Sequence, residues 1–241
     1  MIVLLTDFGH SEYVGVMKGV IYSLYEDARV VDLCHDISPQ NLVEASWILK
    51  NNYAYFPKGA IFCGVVDPGV GTGRKALGVK TSDYYFIAPD NGLLWETLKE
   101  QQVIEMRVIP VPESASRTFH GRDVFAKAAA NVDLGRFGVL GPTTKKIEKL
   151  ELYHNGRVGT VVRVDRFGNI ITNLPSEGKA SYVVDVQGFR SRMDFYPNYN
   201  DAVDDELFLI EGSCKTLEIS LKNSNANERM QIETGSRIEI I

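Results

Sequence analysis

The sequence is poor in cysteine, in long apolar runs and in clustered positive charge. Its three cysteines, Cys34, Cys63 and Cys214, stand far apart and form no CxxC pair. That spacing argues against a zinc knuckle, an iron–sulfur centre and a disulfide scaffold. No stretch approaches the roughly 20 apolar residues that a membrane helix needs. The first residues lack a basic flank and soon reach Asp7, so we expect no signal peptide and a cytoplasmic protein.

A basic block is also missing. The 241 residues carry 26 Lys and Arg against 31 Asp and Glu, which gives a formal net charge of -5. Nucleic-acid binding needs Lys and Arg clustered on one surface, so we expect no nucleic-acid partner. The hydrophobic fraction of 44% and the charged fraction of 24% are ordinary for a globular protein with a substantial core.

The first part of the chain alternates short apolar runs with segments at helical spacing. Strands are predicted at residues 1–5, 30–33, 60–66, 76–80, 84–88 and 103–108. Helices are predicted at residues 12–24, 38–51, 92–100 and 124–132. This alternation predicts an α/β domain over residues 1–150, with a mainly parallel sheet flanked by helices. Functional loops in such sheets lie beyond the carboxyl ends of strands, where Asp7 and Asp67 fall.

The pattern changes near residue 150 to short strand candidates separated by turns. They cover residues 156–164, 170–174, 182–186, 189–195, 206–210, 217–221 and 237–241. No helical segment stands out among them, so we expect residues 151–241 to form a smaller antiparallel β barrel or sandwich. The segment 141–157, rich in Lys, Glu and Gly, is the expected junction.

A loop rich in Pro and Gly follows the third strand, in the run VVDPGVGTGR at residues 65–74. Pro68 cannot extend a central sheet, so Asp67 is held at a strand end, and Arg74 stands across a compact turn. The loop lacks the Gly-Lys-Ser/Thr ending of a Walker A loop and the spacing of a Rossmann fingerprint. Its spacing alone fits a structural Asp–Arg pair as well as it fits a functional site.

Two further runs carry candidate polar groups. TFHGRD at residues 118–123 places His120 before an apolar helix. His120 is either a proton acceptor near neutral pH or an ordinary loop residue with Arg122 as a surface partner. Asp123 is a candidate cap of that helix. TDFG at residues 6–9 places Asp7 at a strand end, where it either accepts hydrogen bonds from two ribose hydroxyls or serves the turn.

The run DRFGNIITN at residues 165–173 lies between two strand candidates and is typical of a hairpin turn. As a functional segment it would stack Phe167 on a base, read the amide-like edge of that base with Asn169 and place Asp165 beside a cation. Taken alone, the run is only a weak indication of a site.

In this order and over the whole chain, TDFG, VVDPGVGTGR, TFHGRD and DRFGNIITN resemble the S-adenosyl-L-methionine (SAM) hydroxide adenosyltransferases. These are SAM hydrolases related to the fluorinase and chlorinase enzymes. Further similar pieces are HDISP at residues 35–39, APDNG at 88–92, Gly141-Pro142 and Glu211-Gly212-Ser213. The resemblance implies hydrolysis of SAM to adenosine and L-methionine by an α/β domain joined to a β domain. It also implies a homotrimer, with substrate held between domains of neighbouring subunits.

The resemblance assigns catalytic roles to Asp67, Arg74 and His120, which match the set around the attacking water. Halogenating relatives lack this set and bind a halide instead. Either His120 or Asp67 would take the proton of the water, while Arg74 stabilises the developing hydroxide during in-line attack at ribose C5′. No metal and no cofactor are required.

The resemblance also implies substrate-binding residues in both halves of the chain. They are Asp7 for the ribose, Phe167, Asn169, Asn225 and Ala226 for adenine, Tyr199 for adenosine, Asp165 and Ser213 for the amino-acid group, and in addition Phe119. Where a halogenating relative has Arg after the serine, this chain has Cys214.

Three other functions remain as alternatives at this point. The first is a halide-using adenosyl transferase, against which the intact Asp67–Arg74–His120 set argues. The second is a SAM- or adenosine-binding sensor without turnover, which predicts stoichiometric binding and no release of methionine. A SAM methyltransferase has the least support, because the glycine-rich acidic loop that usually follows the first strand is absent.

Overall fold

A computed structural model describes residues 1–241, which divide into two units, Met1–Glu151 and Leu152–Ile241. Unit 1 contains one six-stranded sheet. Its strands are β1 (Ile2–Thr6), β2 (Val30–Cys34), β3 (Ile61–Val65), β4 (Ala76–Thr81), β5 (Tyr85–Pro89) and β6 (Val103–Ile109). The spatial order is β2-β1-β3-β5-β4-β6. The first four strands in that order pair in parallel, and β4 runs antiparallel to both of its neighbours.

Helices cover both faces of this sheet, and that explains why its central strands β1 and β3 are buried along their whole length. The helices are α1 (Glu12–Leu24), α2 (Leu42–Asn52), α3 (Trp95–Leu98) and α4 (Ala126–Asp133). Along β1, Ile2 and Leu4 pack in one core cluster with residues of α1 and α4. Val3 and Leu5 pack in the other cluster with residues of α2. The prediction of a mainly parallel sheet flanked by helices is confirmed.

Three helices differ from the sequence-based expectation. Helix α3 begins at Trp95 and ends at Leu98, shorter than the predicted range 92–100. Helix α2 begins at Leu42 rather than at residue 38, because Gln40 has a φ of 64° and Asn41 caps the helix by accepting a hydrogen bond from the Glu44 N–H at 3.0 Å. A π-helical turn, Gly121–Phe125, precedes α4. Asp123 therefore lies inside helical structure, and its predicted role as a cap is wrong.

Unit 2 is a seven-stranded antiparallel sheet. Its strands are β7 (Val158–Val164), β8 (Ile170–Pro175), β9 (Ser181–Val186), β10 (Phe189–Asp194), β11 (Leu207–Glu211), β12 (Thr216–Leu221) and β13 (Arg237–Ile240). Their spatial order is β10-β9-β13-β7-β8-β12-β11. A bridge between Phe195 and Leu209 joins the two ends, so the sheet curls into a nearly closed barrel around one apolar cluster. This confirms the expected antiparallel β barrel.

One element of unit 2 was missed from the sequence. Helix α5 (Ala226–Met230) has five residues, too few for a visible helical repeat. Asn225 caps it by accepting a hydrogen bond from the Glu228 N–H at 2.9 Å. No helix in the protein has the length and apolar character needed to cross a membrane.

Candidate active site

A cleft of about 280 Å³ opens at the carboxyl ends of β1 and β3 in unit 1. Thr6 and Val65, the last residues of these strands, are paired in register, so the segments carrying Asp7 and Asp67 leave the sheet side by side. Both of these acidic residues line the cleft. The edge beyond parallel strand ends is where binding loops of α/β sheets lie.

The loop after β3 fixes the position of Asp67. Asn91, from the APDNG run, donates a hydrogen bond from Nδ2 to the Val66 carbonyl at 2.9 Å. Gly71 has a φ of 76°, and a Cβ at this position would lie 2.3 Å from the Arg117 carbonyl oxygen. Only glycine therefore lets this loop pack against the chain just before the TFHGRD run.

Arg74 connects Asp67 to His120. Its Nε donates to Asp67 Oδ1 at 2.8 Å, and its Nη2 donates to Asp67 Oδ2 and also, at 2.8 Å, to His120 Nδ1. The guanidinium lies over the Phe125 ring, 5.2 Å from its centroid. Only 9% of the Arg74 side chain and 6% of the Asp67 side chain are exposed. Bidentate pairing and burial make this a rigid, charge-assisted network.

The contact with Arg74 determines the tautomer of His120. A guanidinium only donates hydrogen bonds, so Nδ1 of His120 must accept, and the proton of the neutral ring sits on Nε2. Burial lowers the pKa of His120 below its ordinary value of 6.5, and the charge of Arg74 lowers it further, against smaller opposing effects of Asp67 and Asp123. The ring is therefore neutral at pH 7 and offers an N–H donor.

Asp7 faces the same cleft from the other strand. Its Oδ2 accepts a hydrogen bond from the Gln40 backbone N–H at 2.7 Å. Burial raises the pKa of Asp7, and the nearby Asp67 carboxylate adds to this effect, whereas the Gln40 N–H opposes it. The only other donor to this carboxylate is the backbone N–H of Asp7 itself, so acceptor capacity remains for a donor on a ligand.

Three aromatic rings form one wall of the cleft. Phe119 contacts Tyr13 at 4.9 Å and Phe8 at 5.9 Å between ring centroids, both edge to face. Phe8 and Tyr13 also meet edge to face, at 5.5 Å. Aromatic pairs of this geometry pack favourably beyond their buried area. The wall gives an apolar surface in the same cleft as the two carboxylates, and Phe119 is part of it.

A second, larger cavity of about 930 Å³ lies within unit 2. It is lined by six of the residues that the sequence proposed for substrate binding: Asp165, Phe167, Asn169, Tyr199, Ser213 and Asn225. Ala226, the seventh in this unit, is fully buried beside them. These six residues come from four separate stretches of the chain, and the barrel brings them to one place.

The DRFGN turn between β7 and β8 is built around the Asp165 carboxylate. Oδ1 accepts from the backbone N–H groups of Phe167 and Asn169, both at 2.9 Å, and Oδ2 accepts from Asn169 Nδ2 at 2.9 Å. The Asn227 N–H donates to the Gly168 carbonyl at 3.0 Å, which ties the start of α5 to the turn. Asn169 Oδ1 keeps its acceptor capacity for a ligand.

Phe167 stands out because 76% of it is exposed although it is a large apolar residue. Its ring makes no aromatic contact, whereas Tyr199 across the cavity leans on Phe208 at 6.1 Å between centroids. An exposed ring on a rigid turn at the edge of a cavity is suited to stacking on a planar base.

Sequence reasoning missed three residues at these two cavities. Gln40 supplies the backbone N–H to Asp7, and Tyr13 completes the aromatic wall. Glu218 lines the cavity of unit 2 with only 6% of its surface exposed. The run TLEISL could have revealed it, because Glu218 there alternates with the apolar Leu217 and Ile219 of a buried strand.

The side chains present do not form a metal centre. No group of three or more His, Cys, Asp or Glu residues is arranged to hold a metal ion. All three cysteines are free thiols.

Comparison with known proteins identifies relatives along the whole chain. Residues 2–140 match the SAM hydroxide adenosyltransferase N-terminal domain, and residues 159–239 match the C-terminal domain of the same family. The chain is 32% identical to a protein of Methanocaldococcus jannaschii named (R)-S-adenosyl-L-methionine hydrolase, covering 100% of this chain and 95% of that one.

More distant and structural relatives agree with this assignment. A fluorinase of Actinopolyspora mzabensis is 25% identical over 72% of this chain and 71% of its own length. A crystal structure of an uncharacterized conserved protein from Thermotoga maritima covers 100% of both chains with a TM-score of 0.91 and 35% identity. Both halves of the chain are thus matched, and it belongs to the SAM hydroxide adenosyltransferase family.

Proposed function

We propose that this protein hydrolyses S-adenosyl-L-methionine to adenosine and L-methionine, with water as the nucleophile at ribose C5′. The hydrogen-bonded Asp67–Arg74–His120 set, in the same cleft as Asp7, carries this proposal. Relatives along the full chain are named as hydrolases of this compound, and the cavity of unit 2 offers groups suited to a base and an amino acid.

The reaction forms a bond between the water oxygen and C5′ and breaks the bond between C5′ and sulfur. The bonding electron pair goes to the positive sulfonium, so methionine leaves as a neutral thioether and needs no acid. The difficulty is the nucleophile, because bulk water has a pKa of about 15.7. Groups in the cleft must therefore stabilise hydroxide as it forms, and no metal or cofactor takes part.

The geometry favours different roles for His120 and Asp67. The neutral ring already has its proton on Nε2, so a further proton would have to bind Nδ1. That nitrogen accepts a hydrogen bond from Arg74 Nη2, and two N–H donors would then face each other. His120 is instead the donor that holds the oxygen nucleophile through Nε2–H. Asp67 keeps a second lone pair on each oxygen and lines the cleft, so it accepts the proton of the water. Arg74 orients both groups, since its donors towards them are already used.

Asp7 binds the ribose hydroxyls in this account. Its carboxylate lines the cleft, while the Gln40 N–H holds Oδ2. Fixing the ribose aligns C5′ with the nucleophile. Such alignment removes a large part of the activation free energy of a reaction between two separate molecules. Phe119 and its two ring partners exclude bulk water from that wall of the cleft.

The test is incubation of purified protein with SAM, with and without chloride, followed by chromatography of the products. Equal amounts of adenosine and methionine, independent of chloride, support hydrolysis. A 5′-halogenated nucleoside would make the protein a halide-using transferase like its fluorinase relatives. Stoichiometric binding without product would make it a sensor.

Two substitutions of His120 separate the donor role from a base role. Gln at this position offers an N–H donor but takes up no proton, and Ala offers neither. We expect His120→Gln to retain at least tenfold more activity than His120→Ala, whose loss should be on the order of 10²-fold or more. Equal activities of the two variants would favour His120 as the base.

The hydrolase relatives are named for the (R) compound, so we propose the (R) sulfonium epimer as the preferred substrate, tested with the separated epimers. We further propose a cytoplasmic homotrimer that binds no nucleic acid. Light scattering should give three times the chain mass of 26.9 kDa.

A further inference from the structure

The HDISP run begins where strand β2 ends, and it lies next to the TDFG run, which carries Asp7. Strands β1 and β2 pair in parallel as far as Leu5 and Cys34. Thr6 and His35 are the next residues of the two segments, so they lie side by side at the edge of the sheet where the cleft opens. Contacts between these two runs therefore determine where Asp7 stands.

The imidazole ring of His35 binds the hydroxyl group of Thr6, with a distance of 2.8 Å from Nδ1 to Oγ1. Thr6 is completely buried, and its hydroxyl oxygen also accepts a hydrogen bond from the Phe8 N–H at 3.3 Å. The hydroxyl group has no other hydrogen-bond acceptor, so it donates its proton to Nδ1 of His35. The proton of the neutral ring is therefore on Nε2.

Asp32 and Lys18 hold the other side of this ring. His35 Nε2 lies 3.0 Å from Asp32 Oδ1, although the two atoms are not aligned as a linear hydrogen bond. Lys18, from α1, binds Asp32 Oδ2 at 2.6 Å. Burial by itself would raise the pKa of Asp32, but the contacts with Lys18 and His35 lower it below its ordinary value. The charged carboxylate therefore favours the tautomer with the proton on Nε2 and fixes the orientation of the ring.

His35 also holds the far end of the TDFG run. Its backbone carbonyl accepts a hydrogen bond from the Gly9 N–H at 2.8 Å. Gly9 has a φ of 58°, a conformation that suits glycine, and it turns the chain at this point. Asp7 and Phe8, which both line the cleft, lie between the two contacts with His35. One residue thus fixes the run on both sides of the Asp7 carboxylate, while the Gln40 N–H binds the carboxylate itself.

We propose that His35 is a positioning residue, which acts through the Thr6 hydroxyl group to hold the Asp7 carboxylate in place for the ribose hydroxyl groups. This inference rests on the proposed function, in which Asp7 binds the ribose. His35 does not line the cleft, so it acts on the substrate only through the run that it holds. Loss of its contact with Thr6 lets the run move, which weakens binding of the ribose hydroxyl groups more than binding of the base.

The test compares equilibrium binding of adenosine to the full-length protein with binding of 2′,3′-dideoxyadenosine, which lacks both ribose hydroxyl groups. Thr6→Val removes the hydroxyl group with little change of shape, whereas Thr6→Ser keeps it. We expect Thr6→Val and His35→Leu to reduce the preference for adenosine by about five- to twentyfold, as for a weakened hydrogen bond to a charged group. Thr6→Ser should keep the preference of the unmodified protein.

Thr81→Val is the matched control. Thr81 is the last residue of β4, as Thr6 is of β1, and its buried hydroxyl group donates to the Tyr84 carbonyl at 3.0 Å, away from the cleft. This variant should lose stability but keep the preference for adenosine. In an Asp7→Ala background, Thr6→Val should not change the preference further, because the group that His35 positions is already absent.

An unchanged preference in Thr6→Val and His35→Leu would overturn the proposal. An equal loss of affinity for both nucleosides would also overturn it, as would an effect of Thr6→Val that is the same with and without Asp7. The proposed function fails in a different way, if the unmodified protein binds both nucleosides equally or the hydrolysis assay gives no product. Intact hydrolysis with an unchanged preference in the variants would refute the positioning role alone.

Discussion

The two cavities of this protein differ in how their polar groups are satisfied. In unit 1, Asp67, Arg74 and His120 bind one another, and the network is complete without a ligand. In unit 2, the ring of Phe167 stands exposed at the edge of the cavity and packs against no other aromatic ring. The difference indicates that the first cavity is preorganised for chemistry, whereas the second is completed by what it binds. Substitutions in the Asp67–Arg74–His120 network should therefore change kcat, and substitutions in the cavity of unit 2 should change KM.

The largest expected effect is that of Arg74→Lys. A lysine cannot reproduce the fork that binds Asp67 and His120 together, so both groups lose their orientation. We expect kcat to fall by about 10²- to 10⁴-fold with little change in KM. Arg136→Lys, at an exposed position of the same unit, is the control and should behave as the unmodified protein. A loss expressed mainly in KM would remove the contrast between the two cavities.

Phe167→Ala should produce the next largest effect, and it should act on KM rather than on kcat. Stacking of a base on an aromatic ring is worth about 1–3 kcal/mol, so KM should rise by roughly 5- to 150-fold while kcat changes little. Thermal stability should not change, since 76% of the residue is exposed. Tyr55→Ala, which removes a ring that is 82% exposed in unit 1, should affect neither constant. A fall in kcat for Phe167→Ala would contradict a purely binding role.

The pH dependence of kcat tests whether His120 in unit 1 acts as a neutral ring. Protonation of His120 breaks its contact with Arg74, so activity should fall about tenfold per pH unit once the pH is below the depressed pKa of His120. This acid limb of the pH dependence of kcat should lie below pH 6.5, the ordinary pKa of a histidine side chain. A limb above it would show that the ring is stabilised as a cation.

The same titration affects folding stability. The pKa of His120 is lower in the folded than in the unfolded protein, so between these values the unfolded chain binds more protons. The free energy of unfolding should therefore decrease as the pH falls below 6.5, measured by urea denaturation. His120→Gln should remove this contribution.

Asn91→Ala should have the smallest effect of the series. It removes the hydrogen bond to the Val66 carbonyl that steadies the strand end before Asp67. We expect a loss of about 0.5–1.5 kcal/mol in the free energy of unfolding and only a modest decrease in kcat. Asn131→Ala, which removes a contact within α4 to the Lys127 carbonyl, is the matched comparison. An inactive Asn91→Ala variant of normal stability would give Asn91 a direct part in the reaction.

Much of the fold could be predicted from the sequence because local patterns decide it. Alternating apolar strands and helices in the first half, and short strands with turns in the second, led to the sheet and the barrel that the structure contains. The predictions that failed concern where helices begin, because single residues determine those positions. The cap by Asn41 and the φ of Gln40 delay α2, and the π-helical turn after His120 leaves no place for a capping Asp123.

The site was only partly predictable. Motifs drew attention to Asp67, Arg74 and His120, but their mutual hydrogen bonds depend on residues 46 positions apart. Which nitrogen of His120 holds the proton follows from the donor that faces it, and no spacing along the chain reveals that. Glu218 was missed because it belongs to no motif, and its position at the cavity depends on the packing of the barrel strands.

Hydrolysis of SAM in water enriched in ¹⁸O tests the central claim most directly. If the Asp67–Arg74–His120 cleft directs water to C5′, mass spectrometry should find one ¹⁸O in the 5′-hydroxyl of adenosine and none in methionine, with equal yields regardless of chloride. Methylthioadenosine with labelled homoserine would place the attack at another carbon. That result, an unlabelled halogenated nucleoside, or the absence of any product would contradict the account.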